Sequence, residues 1–171
     1  LIVLAVENKK AINKKVSYRK NNVITSEFDA SYQRRFINYK NDNRGFMIDE
    51  GEMLVVCADK YMQTVQPLID WKNISGRPTT IVASSVTGKD EGLRSYLVDY
   101  YKNNPKLSYL LLVGEYIDLP AHSMNGGYSD NYFGMLEGDD FYEEVFVGRL
   151  SVKNVDDAKN QINKVIYYER D

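Results

Sequence analysis

The chain holds one cysteine, Cys57, and one histidine, His122. Together they are the pair a thiol hydrolase would need. A thiolate nucleophile requires exposure and a base within hydrogen-bond reach. Cys57 instead closes the apolar run Met53-Leu54-Val55-Val56-Cys57-Ala58, and free cysteine is among the most buried residue types. His122 falls in a glycine-rich loop two connections away. The residues therefore read as a core thiol and a loop imidazole, not a dyad. A transition-metal site on His122 would want a second histidine or cysteine to complete it, and neither is available.

The carboxylates carry more information. Glu115 and Asp118 follow the run Leu110-Leu111-Leu112-Val113-Gly114. Asp130, Glu137, Asp139, Asp140, Glu143 and Glu144 crowd into the next stretch. Sites made only of oxygen suit hard cations, and an irregular loop favours calcium over magnesium. The ligand spacing of an EF-hand is absent, so a calcium site and a solvated acidic loop both remain open. No Gly-x-Gly-x-x-Gly or Walker pattern occurs, which leaves nucleotide binding unsupported. Asp59 stands at a strand end where a phosphoacceptor could sit, but its customary acidic and lysine partners cannot be placed.

These residues are positioned by alternating strands and helices. Strands are predicted at Met53–Ala58, Thr79–Ala83, Tyr109–Val113, Asn131–Met135 and Glu144–Leu150. The run ending at Gly114 is apolar at every position, as in a strand covered on both faces of a parallel sheet. A helix around Pro67–Asn73 places the proline in its first turn, with Gly76 as its stop. Thr87 and Asp90 read as a capping box for a helix carrying Leu93, Tyr96, Leu97, Tyr100 and Tyr101. The last helix begins near Asn154, with Asp157 at its third position and a stripe of Val155, Ala158, Ile162, Val165 and Ile166. The pattern is α/β: a flavodoxin-like parallel sheet with helices on both faces, and ligands in such sheets gather beyond the strands' carboxyl ends.

Residues 1–50 differ in composition. Leu1–Val6 is a strand candidate, followed by a basic polar stretch from Lys9 to Lys20. Ser26 and Asp29 read as a capping box for a helix with an apolar face of Phe28, Tyr32, Phe36 and Tyr39. The polar run from Asn38 to Gly45 reads as a linker. This short β/α segment is expected to come from an upstream domain. The absence of an initiating methionine and of a signal peptide reads as part of a longer protein.

The formal charge of −2, with 22 basic and 24 acidic residues, excludes the basic footprint of a nucleic-acid binder. The apolar runs are too short to span a bilayer. One cysteine permits no internal disulfide.

Several ordered blocks carry a resemblance. They are Gly51-Glu-Met-Leu-Val-Val56, Ile69-Asp-Trp-Lys-Asn-Ile-Ser-Gly76, Tyr109 to Glu115 with Asp118-Leu-Pro120, Ser129-Asp-Asn-Tyr-Phe-Gly134, Glu144-Val-Phe-Val-Gly-Arg149 and Tyr167-Tyr-Glu-Arg170. In this order and spacing, residues 51–171 resemble the first subdomain of the gingipain family of cysteine endopeptidases. The resemblance implies a caspase-like fold and peptide hydrolysis by a cysteine and histidine in a second subdomain beyond Asp171. That subdomain would be the partner in the protein, with proteins or peptides as substrates. It also implies calcium, with Glu115 and Glu144 as ligands expected to approach each other at the sheet's carboxyl edge. Residues 1–50 would be the tail of a zymogen's prodomain, processed at Arg44, with Lys40 as second choice. A location outside the cell, at the bacterial surface or in the periplasm, follows from the family alone. The rival readings are a flavodoxin- or receiver-like binding domain without peptidase activity, and an inactive family member kept as a binding module.

Overall fold

The computed structural model describes residues 23–35, 47–49, 51–124, 126–138 and 140–170. The expected Leu1–Val6 strand, the basic stretch after it, Phe36, Tyr39, and the linker with Lys40 and Arg44 lie outside the described residues.

Four strands form one parallel sheet: β3 (Glu52–Cys57), β4 (Thr79–Ala83), β5 (Leu107–Val113) and β8 (Phe146–Leu150), in the order β4-β3-β5-β8. Successive side chains on a strand point to opposite faces, and the central pair uses both. Leu54, Val56, Leu110 and Leu112 pack with Leu93 and Leu97 of α4 (Glu91–Asn103). Val55, Cys57 and Val113 pack on the other face, with Val65 and Ile69 of α2 (Met62–Ile74) and Ala158 and Ile162 of α5 (Val155–Arg170). This is the parallel sheet with two helical faces that the alternation predicts.

Several local details differ from the sequence reading. Pro67 is the sixth residue of α2, not part of its first turn. It forfeits a ladder bond to the carbonyl four residues back. The helix starts early because the turn Asp59–Tyr61 runs straight into it, anchored by Tyr61, which is 1% exposed and donates its hydroxyl to the Val152 carbonyl at 3.2 Å. Thr87 closes the short α3 (Ser84–Thr87), and its hydroxyl donates to the carbonyls of Ser84 and Gly88. Asp90 then precedes α4 with φ 47°, and its side chain makes no cap. The expected strand Asn131–Met135 is a 3-10 turn, Asn131–Gly134. It seats Phe133 in the core, and Gly134 runs so close to strand β8 that a Cβ there would lie 2.8 Å from the Val145 carbonyl oxygen. Strand β8 accordingly starts at Phe146, two residues later than expected.

Other signals hold. Gly76 ends α2 at φ 91°, with Arg77 N–H donating to the Lys72 carbonyl at 2.9 Å. Asn154 Oδ1 accepts the Asp157 N–H at 2.9 Å at the start of α5.

The upstream residues meet the sheet at its amino edge. Strand β1 (Val23–Thr25) pairs in parallel with β2 (Met47–Asp49), and α1 (Ser26–Arg35) connects to β1. Ser26 and Asp29 do not form the expected capping box: Ser26 donates to Glu27, and Asp29 accepts from Gln33. Phe28 stacks on Phe146 at 4.3 Å between ring centroids. Arg77 binds Glu27 at 2.9 Å and the Gly51 carbonyl at 3.1 Å, with its guanidinium over the Tyr109 ring.

Gly51 is the tightest point of this junction. A Cβ there would collide with Cβ and Oγ of Ser108 and stand 3.3 Å from Thr25 Cγ2. Ser108 is 1% exposed on a central strand and has little room to retreat. Gly51→Ala is therefore expected to cost about 1–3 kcal/mol, and Ser108→Gly to recover part of that loss in the double variant. Denaturant unfolding measures both; an unchanged midpoint for Gly51→Ala would refute the crowding.

Candidate functional site

The carboxyl ends of β3, β4 and β5 define one rim. Strand β5 ends at Gly114, whose φ of 147° favours glycine and whose added Cβ would meet Asp118 and Ala58 at 3.1 and 3.3 Å. The turn that follows exposes Tyr116 and Ile117 and returns Leu119 to the core. Asp118 pairs with Lys60 at 2.9 Å. Beside it, Asp59 accepts from the Ser84 hydroxyl at 2.9 Å and the Ser85 N–H at 3.0 Å, and also from the Ser85 hydroxyl. These bonds, Ser85 first, hold its carboxyl below the usual range. Both oxygens thus brace the start of α3, which gives Asp59 a structural part and not that of a phosphoacceptor.

A second fixture joins β8 to this rim. Arg149 grips Asp130 through two bonds of 2.7 Å, from Nε and Nη2, and donates Nη1 to the Gly114 carbonyl at 3.0 Å. Such a bidentate pair fixes direction as well as distance. It ties the segment after β7 (Gly127–Ser129) to the ends of β5 and β8.

Cys57 is sealed. Its side chain is 0% exposed, and burial, then the charges of Asp59 and Asp118, push the thiol up to about 12. His122 lies elsewhere, at the start of β6 (His122–Met124), with Nδ1 2.6 Å from Asp90 Oδ1. The thiol is enclosed by the core and the imidazole is engaged by Asp90.

The expected meeting of Glu115 and Glu144 is corrected by the strand register. Strands β5 and β8 pair in parallel with Tyr109 opposite Phe146, which carries Glu144 back to the level of Leu107. Glu115 lies eight residues further along, roughly 25 Å away at the rise of a strand. The two carboxylates stand at opposite ends of the sheet, too far apart to approach each other. Glu115 is half-buried on the carboxyl rim. Glu144 is 7% exposed at the amino end, where its Oε2 accepts N–H groups of Leu136 and Glu137 at 2.8 and 3.0 Å. Glu137 and Asp140 are also buried, and Asp140 Oδ1 accepts the Tyr142 N–H at 2.9 Å. Burial raises the neighbouring Glu143 carboxyl. Asp139 lies outside the described residues.

Sequence reasoning missed the grouping of Asp90, Glu91, Tyr132 and His122. The last two stack at 3.6 Å between centroids, and Tyr132 donates to Glu91 at 2.8 Å. Asp90 and His122 are 32 residues apart, and no periodicity could have joined them. The available signal was the non-glycine Asp90 standing where the helix needed a sharp entry.

A parallel α/β domain with a polar carboxyl rim is the class these features define. The model for peptidase family C25 matches residues 49–171; the chain belongs to that family. It is 35% identical to gingipain R1 of Porphyromonas gingivalis over 173 residues, which span 96% of this chain and 16% of that protein. Gingipain R2 of the same species is 35% identical over 179 residues, 99% of this chain and 24% of that protein. Lys-gingipain is 24% identical over 159 residues, 84% and 9% respectively. The chain thus spans under a quarter of these relatives' length. Among solved structures, the Arg-specific cysteine proteinase gingipain R matches with a TM-score of 0.66 and 34% identity, over 69% of this chain and 28% of that one. The complex of RgpB pro- and mature domains matches at 0.67 and 34% identity, over 69% and 29%. Their fold is the caspase-like one that the sequence resemblance implies. Among the described residues no helix is long and apolar enough to cross a membrane.

The sealed thiol gives a direct test. Native protein at pH 8 is expected to leave Cys57 unmodified by iodoacetamide and to yield one alkylated thiol after unfolding in guanidinium. Fast modification of the native chain, read by mass spectrometry, would show the thiol to be open.

Proposed function

We propose that this chain belongs to a cysteine endopeptidase of gingipain type, forming the first subdomain of its catalytic unit together with the tail of a prodomain at residues 1–50. The observation that supports this most is the family match across the whole parallel sheet, from residue 49 to 171. The chemistry is attack of a thiolate on a peptide carbonyl, with histidine as general base. Neither role falls to Cys57 or His122, given the burial of the first and the separate engagement of the second. We assign both to the second subdomain, beyond Asp171. In this division of labour the sheet is the platform on which that subdomain packs. Exposed Tyr116, Ile117 and Tyr128 beside the carboxyl rim offer apolar area for it. In the complete enzyme, Cys57→Ala is expected to leave turnover on an arginyl or lysyl peptide unchanged and to lower stability by about 1 kcal/mol. A folded variant without turnover would overturn this assignment.

Calcium is part of the same proposal. Three buried carboxyl side chains in one short loop, Glu137, Asp140 and Glu144, are costly to withdraw from water. A hard cation held by oxygen ligands offsets that cost, and Asp140 and Glu144 are the residues that fit it. Glu115 is left as a candidate ligand for a separate ion on the opposite rim. Calcium at about 100 times its dissociation constant would stabilise the folded chain by about 2.7 kcal/mol, a rise of several degrees in melting temperature. Glu144→Gln is expected to abolish the rise that comes from the loop. No calcium-dependent rise, or a full rise in Glu144→Gln, would remove the ion from this loop.

Processing after Arg44 is the remaining element, by an enzyme that shares the arginine specificity of gingipain R. Strands β1 and β2 flank this stretch and pair with each other, so a cut between them leaves β1 and α1 docked. Burial opposes ionisation of Glu27, yet Arg77 and the other hydrogen bonds together hold its carboxyl below its ordinary 4.5. A depressed folded value means that the contact is fully present above about pH 4.5 and is lost as pH falls through the lower folded value. The cut segment is therefore expected to co-elute with the rest at neutral pH and to separate more readily in acid. N-terminal sequencing of the mature chain, beside Arg44→Ala, tests the position. A mature terminus far from Gly45 would refute it.

A further inference from the structure

We infer that Asp90, Glu91 and His122 bind one divalent transition-metal ion of the zinc class. One ligand atom from each residue lies within 4.8 Å of the others. His122 Nδ1 faces both acids, at 2.6 Å from Asp90 Oδ1 and 3.8 Å from Glu91 Oε1. Ligands on a tetrahedral ion with bonds of about 2.0–2.1 Å stand about 3.3 Å apart. The two observed distances bracket that value, so shifts of about 0.5–0.7 Å would bring the imidazole nitrogen to ligand spacing from each acid. The sequence reading dismisses His122 as a ligand for want of a second histidine or cysteine; here Asp90 and Glu91 fill those places, since zinc also takes carboxylate oxygen. An imidazole nitrogen with two carboxylates selects zinc or cobalt over calcium or magnesium, which take oxygen.

The ligands are held before any ion arrives. The Tyr132 ring lies parallel to the imidazole, at 3.6 Å and 13°, while its hydroxyl donates to Glu91 Oε1 at 2.8 Å. The Arg94 guanidinium lies over the Tyr132 ring, 4.9 Å from its centroid, and is itself fixed by a 2.8 Å bond to the Met135 carbonyl. One tyrosine thus orients two of the three ligands, as outer-shell partners do at metal sites. His122 is 20% exposed, Asp90 50% and Glu91 66%, which gives an ion access from solvent and leaves a position for water. With the ion on Nδ1, the ring is neutral and carries its proton on Nε2. Bound there, it pins the β6–β7 hairpin to the first turn of α4.

Cobalt(II) titrated into the full chain, with calcium in excess to fill oxygen-only sites, tests the proposal by its visible absorption. One equivalent is expected to give a d–d band that zinc abolishes. His122→Phe, which retains a ring against Tyr132, is expected to lose the band, while Glu144→Gln retains it. Circular dichroism in EDTA confirms that each variant is folded. Should His122→Phe not fold, Asp90→Asn is expected to weaken cobalt binding by about tenfold or more. No band at stoichiometric cobalt, a band unchanged in folded His122→Phe, or unchanged affinity in Asp90→Asn would overturn the site.

Discussion

Two-sided burial of β3 and β5 is the constraint on which the rest depends. Leu54, Val55, Val56, Leu112 and Val113 are all 0% exposed. A strand with no wet face has no position for a charge, so every functional group must sit where these strands stop. That is why polar residues begin abruptly at Asp59 after β3 and at Glu115 after β5. It also explains Cys57. At the last position of a strand buried on both sides, a thiol is packing material, and the desolvation that secures the core removes its nucleophilicity.

The strand ends then have to be held against one another, and the two rims solve this differently. The carboxyl rim uses charge: Lys60 with Asp118, Asp59 with the serines of α3, and Arg149 with Asp130 and the Gly114 carbonyl. These are directional contacts, half-shielded from water, and they set the turn geometry where ligands of parallel sheets collect. The amino rim relies on contact area, with Phe28 on Phe146, Arg77 on Tyr109, and Gly51 wedged against Ser108. An exposed ion pair there would contribute little. Glu27 and Arg77 do better because the aromatic neighbours keep much of the solvent away.

How much of this was legible follows from which interactions are local. Apolar runs such as Leu110–Val113 fix strand identity because burial on both faces leaves few alternatives at that length. Gly76 and Asn154 mark helix ends through chemistry spanning only a few residues. Pro67 misled because the deciding residue was Tyr61, whose contact with Val152 crosses 91 residues. The pairing of Glu115 with Glu144 misled for a related reason. Both flank strands, but one follows its strand and the other precedes it, and only a parallel register shows that these are opposite ends. The family resemblance supplied both residues as ligands without supplying the register. Asp90 and His122 were unreadable as partners, since nothing in either one's neighbourhood refers to the other.

The separation of the rims has a functional consequence. The upstream segment touches the amino rim, whereas the proposed second subdomain is assigned to the carboxyl rim. If the segment is the prodomain tail proposed above, its attachment at β1 and α1 lies away from the proposed reaction centre. Any inhibition by upstream residues has to be exerted by a part of that domain that reaches around the sheet, with α1 as its anchor. Anchor and inhibitor can then differ in strength: the anchor is governed by aromatic packing and the Glu27–Arg77 contact, the inhibitor by whatever occupies the far rim. Cleavage between β1 and β2 would loosen only the covalent tie. Release of the segment would remain governed by the contacts of the amino rim, which involve none of the groups assigned to catalysis.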